Sequence, residues 1–190
     1  MKGVLFKSFQ GVSIRYLKNG NVRKVMQRDY LLQDFKLKQD SIFDLTELYK
    51  LMFRWFENNG YAFHEKGYHD QDTPGGKQLT VFWVAEKQID AYIKFVIEVN
   101  YLVLGMTKVE IERGGTKVST NKGSIEFRIS AYLLKDFDNK WSSTPFMKTV
   151  RKIYDYYLIK ERIERLEGDL VVDYQALVDE IRSFLALHKF

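Results

Sequence analysis

Residues 89–104 read Ile89-Asp90-Ala91-Tyr92-Ile93-Lys94-Phe95-Val96-Ile97-Glu98-Val99-Asn100-Tyr101-Leu102-Val103-Leu104. Ala91, Ile93, Phe95, Ile97, Val99, Tyr101 and Val103 alternate with Tyr92, Lys94, Val96, Glu98 and Asn100, which is the period of a strand. A helical stripe is also partly present. The β-branched and aromatic content decides for the strand, because such side chains fit a pleated, half-buried surface. Sixteen extended residues would span about 50 Å, so a bend or bulge is expected.

Working outward from this stretch, Gln78–Glu86 reads as a strand covered on both faces, with Leu79, Val81, Trp83 and Ala85 opposite Phe82 and Val84. On the other side, 108–113 turns at Gly114-Gly115 into 116–120. After a further turn at Asn121-Lys122-Gly123, residues 124–134 alternate again. Turns this short join antiparallel neighbours. Before the sheet, Leu45, Leu48, Tyr49, Met52, Phe53 and Phe56 fall on one stripe of a helix over 45–58. Asp44 and Glu47 begin it and Gly60 ends it. Residues 64–78 read as a polar loop and 29–40 as a connection. After the sheet, Thr144 and Pro145 open a helix that the spacing carries to Glu167, with Gly168 as its stop. Its stripe is Phe146, Val150, Ile153 and Tyr157, then Ile163 and Leu166. Asp173 opens a second helix with Leu177, Ile181, Phe184 and Leu185 on its stripe. Both are expected to cover the inner sheet face. At the other end, Val12–Met26 reads as a β-hairpin around Asn19-Gly20.

The predicted fold is therefore α+β: an antiparallel β-meander of four to five strands packed with one preceding helix and two C-terminal helices, plus an N-terminal β-hairpin. Residues 1–40 form the basic hairpin and its connection, and 41–190 the α+β domain.

Composition narrows the chemistry. The chain lacks cysteine, which excludes disulfides, thiolate catalysis and Cys-based metal sites. It shows neither a signal-peptide core near Met1 nor the roughly 20 apolar residues of a membrane span. The expectation is a soluble, cytoplasmic protein. Net charge is +5, but residues 1–38 alone carry nine Lys/Arg against Asp29 and Asp34. The basicity belongs to the N-terminal fifth.

Several clusters invite a chemical reading. His64, Glu65, His69, Asp70 and Asp72 offer metal-ligand types, but their spacing is irregular and Lys66 intrudes, so a polar loop without metal is expected. Asp136 and Asp138 lack the glycine and distal glutamate of a calcium loop. Glu110, Glu112 and Glu126 are carboxylates such as glycosidases pair, here interleaved with Lys108, Arg113, Lys117 and Arg128 as on a charged sheet surface. Gly75-Gly76-Lys77 lacks the spacing of a phosphate loop. His188 sits near the end, where exposure is expected. Phe53, Trp55, Phe56, Phe82, Trp83 and Phe95 would serve a core or line a cavity. No catalytic residue, cofactor or metal site is assigned, which favours a binding protein over an enzyme.

What remains is the basic hairpin. Arg15, Lys18, Arg23, Lys24 and Arg28, with Tyr16 and Tyr30 nearby, suit a polyanion. The expected function is an interaction module docking on RNA or a ribonucleoprotein through these residues, with a membrane surface as a less favoured partner. The alternatives are a ligand-binding protein with an apolar cavity between sheet and helices, and a structural subunit of a larger assembly, with a homodimer through the C-terminal helices. Exposed apolar residues along 145–167 would favour the subunit.

Overall fold

The computed structural model describes residues 8–9, 12–13, 28–113, 115–138 and 145–187. Strands β1 (Ser8–Phe9) and β2 (Val12–Ser13) form a small antiparallel pair. The remaining strands are β3 (Arg28–Phe43), β4 (Ala62–Thr73), β5 (Gly76–Gln88), β6 (Ile93–Arg113) and β7 (Thr116–Lys135). They form one antiparallel sheet in the order β3-β7-β6-β5-β4. Helix α1 (Leu45–Asn58) precedes β4; α2 (Pro145–Ile153), a π-helical turn (Tyr154–Leu158) and α3 (Lys160–Leu187) follow the sheet. The fold is the predicted α+β, with an antiparallel sheet and a helical region after it; the single earlier helix lies between β3 and β4, because β3 joins the sheet.

One sheet face holds the core. Val81, Trp83, Ile97, Val99, Tyr101, Phe127 and Ile129 are buried against Leu48, Met52 and Phe56 of α1 and Leu170, Leu177, Ile181 and Leu185 of α3. The Asp44 carboxylate caps α1, accepting from the N–H groups of Thr46 (2.8 Å) and Glu47 (3.1 Å). At the other end Gly60 adopts φ +74°, and Gly60 N and Tyr61 N donate to Glu57 O and Phe56 O. That pair of hydrogen bonds is a Schellman stop, and it needs a residue tolerant of positive φ.

The expected bulge lies just beyond Leu104. Register shifts between Leu104 and Thr107, and Gly105 sits at φ +61°, as a bulge residue in the left-handed region does. Here β5 crosses so closely that a Cβ on Gly76 would lie 2.8 Å from the Gly105 carbonyl carbon. Beyond this crossing β6 and β7 continue as a ribbon to the turn at Gly115.

Four expectations are corrected. Residues 29–40 belong to β3. Its first half slips register twice, between Tyr30 and Leu32 and between Leu32 and Phe35, which erases the two-residue period. Residues 64–73 are strand β4, and β5 begins at Gly76. Nearly all of β4 is exposed on both faces, so it has no alternation to read, and its ladder to β5 holds it. Asn121–Gly123 is not a turn; these residues pair within β7. The C-terminal helices divide at Ile159, not at Gly168, which lies inside α3 with open space around it. A mid-helix glycine costs about 1 kcal/mol, less than the burial of the apolar stripe on either side contributes.

Two tyrosines fasten the helical layer. Tyr61 Oη donates to Asp173 Oδ2 at 2.8 Å, and Lys87 Nζ reaches the same oxygen at 3.2 Å. Tyr174 Oη approaches the Ile129 carbonyl at 3.5 Å. Burial pushes Tyr174 up to about 12, with Arg182 opposing. Burial also raises Tyr61, helped by the Asp173 carboxylate, and raises Tyr101. The fold thus favours the neutral phenols. Their contribution is complete below the unfolded value of about 10 and is lost as pH climbs toward 12. Urea midpoints followed by circular dichroism should hold steady to about pH 10 and fall steeply above it; a flat profile to pH 12 would contradict this.

Candidate functional site

The predicted binding residues Arg15, Lys18, Arg23 and Lys24 lie outside the described residues, as does the turn of their hairpin. Arg28 opens β3, its backbone paired with Leu134.

The histidine-carboxylate cluster is spread along β4. His64 pairs with Val84 and His69 with Thr80, with a bulge between. Partners four residues apart separate the two imidazoles by about 13 Å, too far to share an ion. Among the described residues no group of three His, Asp or Glu is gathered for a metal. Glu65 instead accepts from Trp83 Nε1 at 3.2 Å, and Asp70 pairs with Lys77 at 2.6 Å. His188 lies outside the described residues.

The carboxylates are equally dispersed. Glu110 pairs with Ser119 and Glu112 with Lys117 in the distal ribbon, whereas Glu126 pairs with Leu102 in the sheet body. Eight residues of strand between Leu102 and Glu110 amount to about 26 Å. Glu126 is held by Arg128 (2.9 Å) and by Lys36 across the strands (3.2 Å). These hydrogen bonds keep its carboxyl below the ordinary range. Asp136 is a buried turn residue at φ +51° whose N–H donates to Tyr92 O at 2.8 Å.

Most of the aromatic set is packing. Trp83 lies edge-on to Tyr49, Phe63 and Tyr101, and Phe53 edge-on to Phe63. Phe82 points to the opposite face, beside Val84, Val96 and Tyr132. A pocket of about 250 Å³ opens on that face, opposite α1 and α3, lined by Gln78, Thr80, Asn100, Leu102, Glu126 and Arg128. The lining is mostly polar and the pocket does not lie between sheet and helices.

The residues that stand out are those from Pro145 to Leu158. Sequence periodicity assigned Phe146, Val150, Ile153 and Tyr157 to the core. Instead Phe146 is 74%, Ile153 53%, Tyr156 62% and Tyr157 74% exposed. Helical geometry puts Phe146, Val150, Ile153 and Tyr157 on one stripe about 16 Å long. Helix α2 also carries Lys148, Arg151 and Lys152 and no acidic residue. The segment is fastened to the sheet through Tyr92. Tyr92 Oη donates to Asp155 Oδ1 at 2.7 Å, and the Tyr154 ring meets Tyr92 edge-on at 6.0 Å. At Ile159 the backbone leaves the helical region (φ −123°), so α3 can enter the core while α2 stays outside it. The legible signal was the charge: three bases, no acids and a narrow apolar stripe describe a basic amphipathic helix, which suits an external surface as well as a core. No family model, curated protein or solved structure matches this chain.

Proposed function

We propose that this protein is an attachment module that docks on an anionic macromolecular surface, with residues 145–158 as its docking element. One observation carries the reading: a helix that is purely cationic in its charges turns Phe146 and Ile153 to solvent. Exposed large apolar side chains in a row mark interaction surfaces, and a helix whose only charged residues are bases favours an anionic partner.

The nine cations against two anions in residues 1–38 favour a second reading, in which Arg15, Lys18, Arg23, Lys24 and Arg28 grip RNA or a ribonucleoprotein. Salt elution of the full chain from immobilised heparin separates the two. On the first reading, Lys148→Gln/Arg151→Gln/Lys152→Gln elutes clearly earlier than wild type, because fewer counterions are released per molecule bound. If only Lys18→Ala/Arg23→Ala/Lys24→Ala shifts elution, the second reading replaces the first. Flow-through of wild type at low salt would remove both.

A further inference from the structure

We infer that the anionic surface met by residues 145–158 is a phospholipid bilayer, an assignment that rests on the docking role proposed above. Among the described residues no helix is long and apolar enough to cross a membrane. Residues 145–158 would extend only about 21 Å as a helix, with a π-helical turn inside that length. The segment therefore lies on a bilayer and does not span it. Its composition suits that position. A stripe of Phe146, Val150, Ile153 and Tyr157 sinks to the acyl boundary, while the Tyr156 and Tyr157 hydroxyls reach the headgroups. Lys148, Arg151 and Lys152 each gain from anionic headgroups.

The other occupants fit less well. Nucleic acid would satisfy the bases but leave Ile153, which has no ring to stack, exposed to water. A second copy across a two-fold axis would set the same three bases beside their equivalents, with no acidic residue in α2 to offset them. The anchoring points the same way. Tyr92 holds Asp155 and Tyr154 on one flank, and Arg162 pairs with Asp90 at 2.5 Å just past the break. The body thus holds the segment through Tyr92 and leaves Phe146, Ile153, Tyr156 and Tyr157 exposed.

Flotation of the full chain tests this, using vesicles of phosphatidylcholine alone and of phosphatidylcholine with one-third phosphatidylglycerol. Binding is expected to the anionic vesicles and not to the neutral ones. Phe146→Ser/Ile153→Ser should weaken it at least about tenfold. Lys148→Gln/Arg151→Gln/Lys152→Gln should weaken it about a hundredfold. Phe146→Ser/Ile153→Ser should melt within about 2 °C of wild type, since Phe146 and Ile153 are exposed. Failure to float, with heparin retention still weakened by Lys148→Gln/Arg151→Gln/Lys152→Gln, would overturn the lipid assignment and leave the docking role standing. Failure in both assays would overturn both. Flotation unchanged in both variants but lost in Lys18→Ala/Arg23→Ala/Lys24→Ala would move the lipid site to the N-terminal segment. A concentration-dependent dimer broken by Phe146→Ser/Ile153→Ser, without vesicle binding, would assign the stripe to a second copy.

Discussion

A chain ending at Ile159 is expected to lose cooperative folding. Helix α3 buries Ile163, Leu170, Tyr174, Leu177, Val178, Ile181 and Leu185. At roughly 1.5–3 kcal/mol for each large apolar side chain, their removal from the core costs more than about 10 kcal/mol. That is comparable to the whole stability of a domain, about 5–15 kcal/mol. The truncation also bares Ile129, Val99 and Ile97 on the inner sheet face. It deletes Asp173, the acceptor for Tyr61 and Lys87, and the Leu185 carbonyl that accepts from Gln39 Nε2 at 3.0 Å. Fragment 1–159 should be insoluble, or should melt without a transition by circular dichroism and bind a hydrophobic dye. A soluble fragment with a sharp melt would mean that α3 is an accessory and that the sheet closes on α1 alone. A chain ending at Leu187 serves as the control and should fold.

Trp83→Ala is expected to cost about 3–5 kcal/mol, the largest effect of any single substitution proposed for this protein. Trp83 is fully buried at the centre of β5. Its ring meets Phe63 at 4.4 Å, Tyr49 at 4.6 Å and Tyr101 at 5.8 Å, each edge-on. Such pairs contribute beyond the area they bury. Its Nε1 also donates to Glu65, so alanine leaves a cavity and a carboxylate short of a donor. Trp83→Phe separates these effects: it keeps most of the packing and should cost about half as much. The check is the urea midpoint of the three proteins, with an unchanged slope showing that only stability has moved. A loss below about 1 kcal/mol for alanine would mean that this site collapses around the missing ring.

Much of the fold is written locally. The alternation from Ile93 to Val103 and from Ile125 to Leu133 specifies two buried strands, because a two-residue period leaves only one face to put inside. Helix α1 is legible from its stripe and both ends, since Asp44 and Gly60 act on backbone groups within a few residues of themselves. The need for a bulge follows from strand length alone. The candidate site was half legible: the sequence identifies an amphipathic stripe at Phe146, Val150, Ile153 and Tyr157, but not what it faces.

Edge strands are where local reading stops. The outer part of β4 runs through His64, Glu65, Lys66 and Asp70 with little buried, so its extended state comes from the ladder to β5 and not from its own pattern. The same holds for the irregular half of β3 against β7. Helix ends in the C-terminal region were decided by tertiary competition. Gly168 should stop a helix, yet α3 continues through it because Ile163 and Leu170 are both buried on its inward side. By itself the sequence determined an antiparallel α+β protein without cysteine chemistry and with concentrated positive charge, since alternation, caps and composition are local properties. Only the tertiary structure decided which of two similar apolar stripes is covered. The sheet and α1 bury the Leu177–Leu185 face, while Phe146, Ile153 and Tyr157 stay exposed, and periodicity has the same form on both.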